Sequence, residues 1–167
     1  TGTFRLRSPQ AWTRYDDEPP DEPNEEITHT SDHFVDGDDA DGVSIHWATH
    51  RGLAHLASRF NIDPLHSAEL DPFLPSFGKV PMPPKTLAYT EPGGAYVAYG
   101  AGNVQLHTIG HELAHVMVER QRAVPLDLYV GEFAALHESF ADVLGEILEA
   151  DVIGGADWES PNCRLKE

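Results

Sequence analysis

His111 and His115, four residues apart with Glu112 beside the first, constrain this chain more than any other feature. On a helix, histidines at that spacing project from one face, so both imidazoles can reach a single metal ion. Glu112, one position on, flanks such an ion rather than ligating it, which suits a general base acting on metal-activated water. The flanking residues Ile109, Leu113, Val116 and Met117 are apolar at helical spacing. They predict a half-buried helix over about residues 104 to 121 rather than a solvated surface helix.

A catalytic zinc site needs a third protein ligand and leaves a fourth position open. The next helix, about 131 to 150, supplies the candidate, and Pro125 separates it from the first. Glu138 and Asp142 share a face of it at i, i+4. One carboxylate can ligate the ion while the other accepts the spare N–H of a ligating histidine and fixes its tautomer. The rival reading is a solvent-facing edge, where two like charges repel slightly. The helix carries Phe133, Leu136, Phe140, Val143, Leu144, Ile147 and Leu148, so the acid pair is expected to be buried and to need a cation. His137 reads as pointing to another face, in a packing or ligand-supporting role. His46, His50 and His55 have no such acid partner and read as surface or core contacts of an earlier helix.

The chain has 167 residues, enough for one domain and a core that needs no disulfide staples. A formal charge of −17 argues against a nucleic-acid or anionic-membrane partner. No apolar run approaches the roughly 18 residues of a membrane span. The one cysteine, Cys163, rules out an internal disulfide framework and a cysteine zinc cage. Thr1 is not a start methionine, which suggests that a signal or pro-segment was removed earlier.

Alternation around Phe4, Leu6, Trp12 and Tyr15 predicts short strands, followed by an acidic stretch to Asp41. Within it Asp36 to Gly42 looks like a calcium loop, but Ala40 and Asp41 break the EF-hand spacing, which favours a solvated loop. Asp41 is placed to cap a helix of about 42 to 60, with Ile45, Thr49, Leu53, Leu56 and Phe60 as its stripe. Six prolines between 61 and 86 predict a long irregular connection. Residues 87–90 and 95–99, around Gly93-Gly94, predict a hairpin. The class is α+β. Residues 1–103 form a β-rich region with one long helix, and 104–167 hold the metal-binding helices.

Thr108-Ile-Gly-His-Glu-Leu-Ala-His115, followed by Glu138-Ser-Phe-Ala-Asp142, resembles the paired zinc signature of the thermolysin-like metalloproteases, the gluzincins. Ser44-Ile-His-Trp-Ala48 is similar to the entry of that family's first long helix, and Leu87-Ala-Tyr-Thr90 to its edge strand. The resemblance implies zincin helices in which His111, His115 and Glu138 hold zinc and Asp142 orients His111. It implies that Glu112 is the general base of peptide-bond hydrolysis. Tyr129 would help polarise the scissile carbonyl, and Ala88 and Tyr89 would pair with the backbone of a peptide substrate. Glu149, Asp157 and Glu159 fall where the family places calcium ligands, and secretion is the family's usual fate. Three departures stand beside this. His107 and Asn162 replace acids of the calcium site, Leu87 replaces an asparagine of the edge strand, and the family's helical second half has no counterpart here. That half, or a second chain, is the expected partner. The alternative function is a zinc-binding module without proteolysis.

Overall fold

The computed structural model describes residues 4–15, 25–29, 40–61, 63–66, 70, 72–84, 86–121 and 130–154. Near the N-terminus, β1 (Phe4–Arg5) pairs antiparallel with β4 (Thr28–His29). The main sheet has five strands: β2 (Ala11–Tyr15), β3 (Glu25–Glu26), β5 (Leu74–Gly78), β6 (Ala88–Thr90) and β7 (Val97–Tyr99). Their spatial order is β3-β2-β5-β7-β6. The β2–β5 and β5–β7 pairs are parallel, and the outer pairs are antiparallel. Helix α1 (Ala40–Phe60) makes the crossover between β2 and β5, and α2 (Leu106–Gln121) and α3 (Gly131–Ile153) follow the sheet. The architecture is α+β, as expected.

Strand β5 lies where the prolines predicted an irregular connection. Leu74, Ser76 and Gly78 face inward, alternating with half-buried neighbours. Pro75 is tolerated because Leu74 donates its N–H toward β2, to the carbonyl of Gln10 at 2.9 Å. The ring nitrogen of Pro75 then faces the opposite side, where pairing with β7 begins only at Ser76. The hairpin falls as read: Gly93 and Gly94 turn with φ of 91° and 72°, conformations that favour glycine. Helix α1 begins two residues before its expected start. Asp41 therefore sits in the first turn, and its carboxylate accepts the Gly102 N–H at 2.9 Å instead of capping its own helix.

One buried cluster joins Ile45, Leu53 and Leu56 of α1 to Leu74, Val97 and Tyr99 of the sheet. It continues through Ile109, Leu113 and Val116 of α2 to Leu144 of α3. Phe60, the last residue of the expected α1 stripe, is exposed. Arg120, buried at the end of α2, donates to the carbonyls of Gly94, Leu65 and Phe73 and so ties the helix to two loops. The α2–α3 crossing is close enough that a Cβ on Gly110 would stand 2.9 Å from the Gly145 Cα.

Candidate metal centre

His111, Glu112 and His115 lie on α2, and His137, Glu138 and Asp142 lie on α3. The glycine crossing brings these two helix faces together. His111 Nε2 and His115 Nε2 are 2.9 Å apart, and Glu138 Oε2 stands 3.3 Å from the first and 3.7 Å from the second. These three residues are the only group of three or more potential ligands brought together among the described residues.

The outer nitrogens of the two rings are also engaged. His111 Nδ1 lies 2.8 Å from Asp142 Oδ1, and His115 Nδ1 lies 3.3 Å from His137 Nε2. If each Nδ1 carries the proton, both Nε2 lone pairs face a carboxylate oxygen, and the three acceptors repel unless a positive charge sits among them. A proton supplies that charge in the metal-free chain. Burial works against a charged His111, but the Glu138 hydrogen bond and the charges of Glu112, Asp142 and Glu138 outweigh it and raise its pKa. A divalent cation supplies the charge better. Two imidazoles and a carboxylate are a catalytic zinc donor set, and bonds of about 2.1 Å at tetrahedral angles place donors roughly 3.4 Å apart. The observed separations bracket that figure, so the residues fit zinc.

The expected burial of the acid pair is not found. The Glu138 and Asp142 side chains are 49% and 54% exposed, because they follow His137 and Ala141 at the rim of the face that α3 buries rather than within it. The reason to place a cation here is thus convergence, not the cost of buried acids. Glu112, by contrast, is only 6% exposed. Burial raises its pKa, while the Thr90 hydroxyl and the charges of His111 and His115 pull it back down.

A pocket of about 290 Å³ opens over these groups, lined on the sheet side by Ala88, Tyr89 and Thr90. Glu119 and His137 line it too. Sequence reasoning did not single out Thr90 or Glu119. Glu119 was legible as the next turn of the stripe beginning with His111 and His115. The role of Thr90 carried no sequence signal.

Of the expected calcium ligands, only Glu149 lies among the described residues. Its carboxylate lies 3.9 Å from His107 Nδ1, the imidazole that stands in place of an acid there. Asp157, Glu159 and Tyr129 lie outside the described residues, as does the acidic stretch from Asp36 to Asp39. His46 meets the Thr13 hydroxyl at 3.1 Å, a contact between α1 and the sheet.

No protein-family model matches the chain, and no curated protein matches it in sequence. Among solved structures it is similar to the precursor of protealysin, a metalloproteinase from Serratia proteamaculans. The TM-score is 0.65 and the identity 17%, over 89% of this chain and 46% of that one. The fold is therefore metalloproteinase-like, and the chain spans less than half the length of that protein.

Proposed function

We propose that this chain is the zinc-bearing part of a thermolysin-like endopeptidase. The observation that carries this reading is the convergence of His111, His115 and Glu138 within a few ångströms, beside a buried Glu112 and under an edge strand. Zinc bound by those three residues supplies Lewis acidity to a water and to a peptide carbonyl. The chain's own residues do the rest. Glu112 takes a proton from the attacking water as its oxygen bonds to the carbonyl carbon. It then gives that proton to the nitrogen as the C–N bond breaks, releasing an acid and an amine. Asp142 holds His111 in the tautomer that leaves Nε2 free to ligate.

Strand β6 pairs with β7 on one side and ends the sheet on the other. Its backbone at Ala88 and Tyr89 is suited to receive an extended peptide by strand addition. Tyr129 is assigned the polarisation of the scissile carbonyl. A helical second half, in the same polypeptide or a second chain, completes the cleft. Secretion belongs to the same reading. No helix among the described residues is long and apolar enough to cross a membrane.

Metal analysis of the purified protein with a casein peptidase assay, run beside Glu112→Gln, tests the proposal. One zinc per chain in both forms, with hydrolysis in the first alone, is the expected result. Zinc without hydrolysis in either form would favour a zinc-binding module. Absence of zinc would overturn the ligand set.

A further inference from the structure

A buried carboxylate has to be held by donors, and at Glu112 one donor comes from the sheet. Thr90 is the last residue of β6 and pairs with Val97. Its hydroxyl oxygen lies 2.7 Å from Glu112 Oε2 and 3.0 Å from the Glu112 backbone oxygen. A hydroxyl has one hydrogen, and the shorter contact falls in the range of O–H donors to ionised carboxylates, so the hydrogen goes to the side chain. Threonine is stiff at χ1. A hydroxyl on a paired strand residue is thus aimed, whereas one on a long flexible side chain is not.

We propose that Thr90 is the positioning residue for Glu112: it holds one carboxylate oxygen and leaves the other as the proton acceptor toward the pocket. The proposal rests on the reading of Glu112 as the general base. Two consequences follow from the geometry. The carboxylate loses a rotational freedom it would otherwise spend in unproductive orientations. The base is also tethered to the strand suited to pair with substrate, so a peptide that moves β6 moves Glu112 with it.

The test uses the zinc-loaded protein with its glutamates labelled with ¹³C at the carboxyl carbon, the Glu112 resonance being identified by its loss in Glu112→Gln. Wild type is compared at one fixed neutral pH with Thr90→Ser, Thr90→Val and Thr90→Ala. Circular dichroism checks that each is folded, and Thr90→Ala replaces Thr90→Val should the latter fail. The expected result is a shifted and broadened Glu112 resonance in the valine and alanine variants, a wild-type resonance in the serine variant, and unchanged zinc content throughout. Where hydrolysis is measurable, kcat falls about tenfold or more without the hydroxyl while KM holds, as losing a hydrogen bond to a charged group predicts. An unmoved Glu112 resonance in Thr90→Val and Thr90→Ala, or failure of serine to restore it, overturns the proposal. Failure of wild type to bind zinc overturns the protease reading instead, and the same resonance in the metal-free protein still decides whether Thr90 holds Glu112.

Discussion

On the zinc reading, proton and metal compete for Nε2 of His111, with Glu112 beside them. Both groups titrate above their ordinary values, His111 despite its burial and Glu112 because of it. A raised folded-state pKa contributes stability that is complete below the unfolded value and lost as pH rises through the folded one. For the metal-free chain, Glu112 therefore loses its contribution above the ordinary carboxylate range and His111 above the ordinary histidine range. Denaturant midpoints of the metal-free protein should fall as pH rises through these windows, and zinc should reverse the fall at neutral pH. Zinc needs His111 neutral, so its affinity should weaken on acidification, starting at a higher pH than an ordinary histidine would give. Competition with a chromophoric chelator across pH reads this directly; affinity that is flat down to pH 6 would contradict it. His137 carries a second expectation. It meets His115 Nδ1 at 3.3 Å, and Phe at that position keeps a ring but removes the acceptor. His137→Phe should weaken zinc by about 10- to 100-fold, the usual cost of losing a partner behind a metal ligand.

The helix pair that carries these residues is set by a glycine contact. A Cβ on Gly145 would stand 2.5 Å from the carbonyl oxygen of His107, one turn before His111. The obstacle is backbone, so α3 must move away from α2 to admit even one methyl. Gly145→Ala should cost about 1–3 kcal/mol, the range for overpacking, read as a lower urea midpoint. It should also weaken zinc, because His111 and Glu138 sit on the two separated helices. Elements with strong periodicity were legible in the sequence: α2 through its histidine pair and apolar stripe, and the β6–β7 hairpin through Gly93-Gly94. Strand β5 was not, because Pro75 reads as a breaker until the missing N–H is known to face a gap in the pairing. The grouping of His111, His115 and Glu138 was legible because two of them share one helix and the third heads a second motif. The Thr90 contact joins residues 22 apart through the fold alone, and no local pattern encodes it. The exposure of Glu138 was misread for a related reason. An apolar helix announces that it packs, but not which residues stand at the rim of the contact, nor how many of its faces find a partner within this chain.

On the scale of the whole molecule, that second face of α3 remains open. Phe133, Leu136, Phe140 and Val143 recur at three- and four-residue steps, and Leu136 is 63% exposed. A helix apolar on two sides is characteristic of one buried on both, and a contiguous apolar stripe of this kind marks an interaction surface. At 3.6 residues per turn, Glu138 and Asp142 fall on the opposite side of α3 from this stripe, and Glu138 lines the pocket while the stripe residues do not. With the stripe uncovered, two forces act between copies of the chain. The net charge of −17 keeps them apart, and the stripe draws them together. Charge repulsion is screened over about 10 Å at 0.1 M salt and about 3 Å at 1 M, whereas apolar burial is not weakened by salt. The chain alone should therefore sediment as a monomer at low ionic strength and associate as salt rises, the reverse of an assembly held by ion pairs. Leu136→Glu should suppress that association while leaving zinc content intact, because Leu136 is not among the converging ligands. Sedimentation velocity over a salt series, with both forms loaded with zinc, separates the cases. Association that weakens with salt, or that survives Leu136→Glu, would place the sticky surface elsewhere and leave the α3 stripe without a role in completing the molecule.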